Sequence, residues 1–367
     1  MNARPTPALV VSLVTLGDPN RLTGGHLYHR RMADAAAGHG ATVVFSSFPE
    51  RPFPLAAAAG PRVLREAHAV GADVLLLDSI AAALAAPSLA VHASRLPVVG
   101  TLHQPPGGVD HGRLRAAAQA PLDRLAYRRA SLLIAASEHL AGQLRDQGVA
   151  PERIRVVPPG RDVVPGPAGR AVDLRRGRRA AFLSVANWLP HKGVLELLDA
   201  FARLPPDSAT LHLAGDELAA PEYAKRIRRR LARPDLAGRV VRHGAQSPGA
   251  VAALYAGADA FALPAFRESY GTVWGEAMAS GLPVVGWRAG NLPHLLDHGQ
   301  QGLMAAPGDV AALSRALLKL ATDEELRRHM GRAARERSLA RPTWEQSAAA
   351  YFAAIRSVLS PAVPSGQ

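Results

Sequence analysis

The segment RESYGTVWGEAMASGLPVV, Arg267–Val285, holds two carboxylates, Glu268 and Glu276, with seven residues between them and Gly271 in the interval. It follows an apolar run that ends at Pro264, and a helix is expected to open near Gly271. One carboxylate then falls in the loop before the helix, and the other lies about two turns further along the chain. The first amides of a helix have no internal partner and sit at the positive end of the macrodipole, which suits a diphosphate. Gly271 lets the backbone approach a ligand closely. A carboxylate beside such a site accepts hydrogen bonds from ribose or sugar hydroxyls. A lone glutamate on a helix is ordinary surface; two of them around a glycine, after a strand, make a more particular pattern.

The same strand-then-helix rhythm runs outward in both directions. Apolar, β-branched runs occur at Leu9–Leu16, Thr42–Phe45, Val74–Leu77, Val98–Leu102, Leu132–Ala135 and Ile154–Val157. Alanine-rich stretches with helical spacing, such as Leu27–Ala37 and Leu114–Ala130, lie between them, and Ser137 stands where an N-cap belongs. The rhythm pauses over Val164–Arg179, VPGPAGRAVDLRRGRR, which has no periodicity. It restarts at Ala181–Val185, Thr210–Leu213, Val240–His243, Ala260–Leu263 and Pro283–Gly286, and closes in helices, the last near Thr343–Leu359. Continuous apolar strands alternating with helices predict parallel sheets covered on both faces. The expected fold class is therefore α/β, two tandem Rossmann-like domains whose sheets face a cleft that takes the ligand. The expected boundaries are 1–163, a linker 164–179, a second domain 180–342, and a helix 343–360 packing back on the first domain.

Composition excludes several classes. The 367 residues exceed one ordinary core, and 48% hydrophobic with 20% charged residues excludes a disordered chain. With no Cys there is neither a disulfide framework nor a thiolate metal site or nucleophile. The longest apolar runs, such as Pro7–Gly17, fall short of the ~20 residues of a membrane span. No small-x-small cleavage site follows Arg4 and its apolar stretch, so a cytoplasmic location is expected. The net charge of +13 comes from 43 basic residues, of which only Lys192, Lys225 and Lys319 are lysines. The arginines are scattered, with clusters at Arg175–Arg179 and Lys225–Arg233 and no interleaved aromatics. That pattern reads first as a solvated basic face, second as an anionic membrane surface, and not as a nucleic-acid site. Gly112–Arg129 is basic with an apolar side, compatible with peripheral docking on anionic lipid and equally with an ordinary surface helix.

The Arg267–Val285 segment resembles the E-x7-E signature of the retaining sugar-nucleotide glycosyltransferases of family 4, also called group 1, which have the GT-B fold. The resemblance covers nearly the whole chain. Thr23–Val44 looks like the family's Gly-Gly loop, first helix and second strand. TLHQP (Thr101–Pro105) is similar to its strand-end histidine motif, and Ser184–Phe201 to the first βα unit of its second domain. The resemblance implies that Glu268 meets the donor sugar's hydroxyls and Glu276 the nucleotide ribose. It places the diphosphate on the backbone around Ser269, Tyr270, Gly271, Thr272 and Val273, and the Lys192 ammonium on the same phosphates. Gly24 and Gly25 fall on the donor side of the Gly-Gly loop, and His103 contacts the donor sugar or the acceptor hydroxyl. His26 is a weaker acceptor-side candidate. Two positions depart from the family: Asn187 stands where an arginine is usual, and His294 where a glutamate often follows proline. Asparagine brings no charge and no bidentate fork to a phosphate.

No Asp-x-Asp, nucleophile elbow or Walker loop occurs, and no clustered His/Asp/Glu set marks a metal, so no metal or cofactor is expected. The implied function is metal-independent, retaining transfer of a sugar from a UDP-, GDP- or ADP-linked donor to an acceptor hydroxyl. The rivals are an epimerase or phosphorylase on the same fold, and a nucleotide- or sugar-binding protein without turnover, which Asn187 keeps open.

Overall fold

The aliphatic run Leu9–Leu16 forms strand β1, its central residues out of contact with water, and the sheet grows from it on both sides. The computed structural model describes residues 9–19, 24–91, 96–109, 112–161 and 173–359. The chain divides into two units, Met1–Gly160 with Pro342–Gln367, and Arg161–Arg341.

In the first unit β1 is followed by α1 (Gly24–Ala35), β2 (Ala41–Phe48), α2 (Gly60–Ala69), β3 (Val74–Asp78), α3 (Ala82–Val91), β4 (Val98–Leu102), α4 (Arg113–Arg129), β5 (Leu132–Ala135), α5 (Glu138–Asp146) and β6 (Ile154–Val156). The sheet order is β2-β1-β3-β4-β5-β6, parallel throughout. Such a sheet hides both faces, which is why β3, β4 and β5 are mostly apolar and are buried along their whole length. Ser137 caps α5, accepting the Leu140 amide at 3.2 Å.

The second unit runs β7 (Ala180–Val185), α6 (Val194–Phe201), β8 (Ala209–Ala214), α7 (Pro221–Leu231), β9 (Val240–Gly244), α8 (Pro248–Gly257), β10 (Ala260–Ala262), α9 (Thr272–Ala279), β11 (Val284–Trp287), α10 (Leu292–Leu295), β12 (Gly302–Ala305), α11 (Val310–Thr322) and α12 (Glu324–Leu339). Its order is β12-β11-β10-β7-β8-β9, again parallel. The strand β12 has no counterpart among the runs expected from sequence. The last helix, α13 (Trp344–Ser357), belongs to the first unit, where the Tyr351 and Thr101 hydroxyls lie 3.2 Å apart and Tyr351 packs edge-on to Tyr28 at 5.8 Å.

Most of the expected linker 164–179 lies outside the described residues. From Asp173 onward the chain is anchored to the second unit: Leu174 is buried, and the Arg175 guanidinium donates to Asp259 at 2.9 Å. In each sheet the order reverses once, between β1 and β3 in the first unit and between β7 and β10 in the second. Ligands of open α/β sheets bind beyond the carboxyl ends of the strands at that reversal. Among the described residues no helix is long and apolar enough to cross a membrane.

Candidate functional site

At the reversal in the second unit, two loops leave adjacent strands and are laced together. The loop after β7 ends in a short turn, Pro190–Lys192, and then Gly193, whose φ of 70° is left-handed. A Cβ at Gly193 would stand 2.1 Å from the Pro264 carbonyl oxygen, so only glycine brings this turn against the loop after β10. The Phe266 amide donates to the His191 carbonyl at 2.8 Å, closing the contact. The result is a salt bridge: the Lys192 ammonium reaches the Glu268 carboxylate, and the two side chains are only 20% and 17% exposed.

The loop carrying Glu268 is held from behind. The Asn291 amide donates to the Glu268 carbonyl at 2.9 Å, and its side-chain amide donates to the Tyr270 carbonyl at 2.7 Å. The Arg341 guanidinium lies 5.2 Å above the Tyr270 ring and hydrogen-bonds its hydroxyl. Gly271, with φ of 85°, opens α9; a Cβ there would meet the buried Trp274 ring at 2.2 Å. No acidic side chain occupies the first turn of α9, and Ser269 just ahead of it is buried. Glu276 sits on the second turn, where the Tyr255 hydroxyl donates to its Oε2 at 3.0 Å and also lies 3.2 Å from the Val273 carbonyl. Burial, then the neighbouring Glu276 carboxylate, push the Tyr255 phenol well above its usual range, so it remains a donor.

The structure thus gathers Lys192, Glu268, Ser269, Tyr270, Gly271, Thr272, Val273 and Glu276 on two neighbouring loops and one helix. Asn187 is exposed, and its side-chain oxygen accepts the Asp216 amide at 3.0 Å, so half of its amide serves the turn after β8. His294 is exposed on α10. Tyr255 and Arg341 were not singled out by sequence: one is a single aromatic in an apolar helix, the other one arginine among many.

The first unit gathers a second polar group at its own reversal. His103 follows β4, its amide donating to the Ser79 hydroxyl at 3.2 Å. Its ring is packed against Gly25, where a Cβ would come within 3.4 Å, and against Tyr28, with ring centroids 4.7 Å apart. Gly24 has open space where a side chain would stand. His26 is buried, its Nε2 3.4 Å from the Leu16 carbonyl. Behind His103 stand His29 on α1 and Asp78 at the end of β3, both side chains 2% exposed. Thr15 donates to Asp78 Oδ2 at 2.7 Å. Burial pushes the Asp78 carboxyl up, yet the His29 and His103 imidazoles and the Thr15 hydroxyl outweigh it and hold the group well below the carboxylate range. Burial, then the nearby His29, bring the His103 imidazole down to about 3. The sequence shows no His/Asp cluster; in the structure three separate βα units bring His29, Asp78 and His103 together. The one sequence signal for Asp78 is a carboxylate closing the apolar run VLLLD.

The loop after His103 is fastened by Asp123 of α4, which accepts the Gly107 amide at 2.8 Å and the Gln119 side-chain amide at 3.3 Å. Burial pushes the Asp123 carboxyl up to about 6.

Two family models match this chain. Glycosyl transferases group 1 covers residues 169–337, and Glycosyltransferase Family 4 covers residues 11–164. Among curated proteins, the N-acetyl-alpha-D-glucosaminyl L-malate synthase of Bacillus anthracis is 35% identical over 155 residues, 42% of this chain and 39% of that one. The D-inositol 3-phosphate glycosyltransferase of Corynebacterium efficiens is 30% identical over 219 residues, 56% of this chain and 51% of that one. The matched stretches therefore span about half, or less, of these relatives' length. In fold the chain is similar to a sucrose-phosphate synthase from Thermosynechococcus elongatus, with TM-score 0.78, 20% identity, and 96% and 99% of the two chains covered. It is also similar to Anabaena HepE, solved in complex with UDP and glucose, with TM-score 0.76, 22% identity, and 94% and 99% covered.

Proposed function

Because the chain belongs to the group 1 glycosyl transferases of glycosyltransferase family 4, we propose that it moves a sugar from a nucleoside-diphosphate sugar to an acceptor hydroxyl, with retention and without a metal. The observation that carries this reading is the convergence of Lys192 and Glu268 at the β7/β10 reversal, beside the N-terminus of α9. A diphosphate there meets the Lys192 ammonium and the first amides of α9, aligned with the helix dipole. Glu276, oriented by Tyr255, accepts from the ribose hydroxyls, and Glu268 accepts from the sugar hydroxyls once the diphosphate shares its lysine.

Catalysis follows from charge placement. The bond between the anomeric carbon and the phosphate oxygen breaks, and negative charge grows on the departing diphosphate. Lys192, held beside α9 by Glu268, and the α9 amides then stabilise the transition state with little reorganisation. The acceptor oxygen attacks the same face that the diphosphate leaves, and its proton passes to the departing phosphate oxygen. That shared face preserves the anomeric configuration. The first unit recognises the acceptor, with His103 hydrogen-bonding a sugar or acceptor hydroxyl. Asn187 supplies its remaining side-chain N–H in place of an arginine fork, so the phosphate site leans more heavily on Lys192.

Proton NMR of the product's anomeric centre, with the reaction run in EDTA, tests this reading. Retention, at a rate no lower than without EDTA, is expected; inversion, or loss of transfer in EDTA, contradicts it. The reading extends to a cytoplasmic location with peripheral contact on anionic lipid through α4, where Leu114 is 89% exposed. Sedimentation with anionic vesicles that is unchanged in Leu114→Asp contradicts that extension.

A further inference from the structure

We propose that His29, Asp78 and His103 form a binding site for a divalent first-row transition cation of the zinc class. One ligand atom from each, two imidazole nitrogens and a carboxylate oxygen, lie within 4.8 Å of one another. They come from three elements that converge at one point of the sheet: α1 after β1, the last residue of β3, and the residue after β4.

The independent observation is an excess of unsatisfied buried nitrogen. Neither ring nitrogen of His29 has a hydrogen-bond partner, nor has Nε2 of His103, and all three atoms are hidden from solvent. His29 Nε2 lies 3.2 Å from Asp78 Oδ2. Leaving buried polar atoms unmade costs about 1–3 kcal/mol apiece, so several in one cluster call for an occupant. The carboxylate has no permanently charged partner. Asp78 is buried against the Thr15 and Ser79 hydroxyls, the Ile80 amide and the imidazoles, with no lysine or arginine pairing it among the described residues.

The donor set selects the class of ion. Two imidazoles and one carboxylate, without thiolate, suit zinc, cobalt or ferrous ions, whereas magnesium and calcium ask for oxygen throughout. The hydrogen bonds to Asp78 from Thr15, Ser79 and Ile80 are the outer contacts that orient a ligating carboxylate. A filled site fixes the His103 ring, so on the reading proposed above occupancy opposes the transfer instead of assisting it.

The test uses the full chain, stripped with chelator and desalted, with no donor or acceptor present; its failure therefore leaves the transfer reading standing. Zn2+ is titrated by calorimetry, and Co2+ is followed by visible absorption. One equivalent is expected, with a cobalt spectrum of nitrogen–oxygen coordination. His29→Gln and Asp78→Asn should each weaken binding by more than the roughly 10–100-fold that loss of an outer contact costs. His329→Gln, an exposed histidine of α12, should leave it unchanged. Circular dichroism and thermal melts of each variant separate ligand loss from misfolding, and His29→Gln is the milder change should Asp78→Asn fail to fold. Absence of stoichiometric binding, or equal binding in a folded His29→Gln protein, overturns the proposal and assigns any bound zinc to surface histidines.

Discussion

Lys192 and Glu268, 76 positions apart in the chain, meet as an ion pair at the ends of adjacent strands β7 and β10. Each therefore holds the other in place before any ligand arrives. On the proposed reading, a diphosphate entering beside α9 would give the ammonium a second anionic partner and free part of the carboxylate for a sugar hydroxyl. Preorganisation of this kind places the phosphate contact without a costly rearrangement.

On the proposed reading, replacing Lys192 removes a positive charge from the diphosphate site. Lys192→Ala is expected to lower transfer by on the order of 10²-fold, the usual cost of removing one preorganised donor. Glu268→Gln, which keeps the shape, should lose rate while nucleotide affinity changes little. Steady-state kinetics alongside nucleoside-diphosphate binding separates the two; equal loss of binding in both variants contradicts their separate roles.

Tyr255 links Glu276, the proposed ribose partner, to the core. Tyr255→Phe preserves the packing but leaves the Glu276 carboxylate without its 3.0 Å donor. A net loss of about 1 kcal/mol is expected, or a melting decrease of about 2–4 °C for a unit of this size. Nucleotide affinity should fall as well, because the carboxylate is no longer held in one orientation. An unchanged affinity in calorimetry would show that Glu276 does not face the ribose.

Gly193 tests the lacing of the two loops. Its left-handed backbone and the 2.1 Å approach to Pro264 leave no room for a methyl group. Gly193→Ala is expected to destabilise the second unit by about 1–3 kcal/mol and to shift Lys192 away from Glu268. Urea unfolding with a parallel binding titration checks both parts. Native stability in this variant would contradict the close approach.

Asp123 predicts a signed pH effect. Its folded carboxyl titrates at about 6, against 3.8 for the ordinary side chain. The native state thus holds a proton that the unfolded chain has released, and the group's contribution is complete below about pH 4 and lost as pH rises through about 6. The shift corresponds to roughly 3 kcal/mol at most. Relative to Asp123→Asn, which keeps an acceptor for Gly107, the native protein should lose stability between about pH 4 and 7 and then level off. Denaturant melts of both proteins across that range are the check; a stability difference that is flat or of opposite slope rejects the burial of an ionisable Asp123.

Much of the fold was legible because a parallel sheet buries both faces of its strands. The apolar runs Leu9–Leu16, Val98–Leu102 and Leu132–Ala135 coincide with β1, β4 and β5. β12, Gly302–Ala305, escaped notice because it is four residues long and lacks β-branched side chains. α3, Ala82–Val91, shows no face because nearly all of it is buried, so helical periodicity has nothing to contrast. The loop and helix start that carry Glu268, Gly271 and Glu276 were legible because these residues lie close together in the chain. The His29–Asp78–His103 group was not, since only the stacking of three βα units brings those residues into contact. Arg341 was hidden for the same reason: its partner Tyr270 lies on a distant loop.

The most direct test of the diphosphate site is calorimetric titration of the purified protein with UDP, GDP and ADP in EDTA, repeated with Lys192→Ala. The account predicts that one of the three binds saturably in the native protein and loses about tenfold or more in affinity in the variant. Binding of none of them, or equal affinity with and without the Lys192 ammonium, would contradict it.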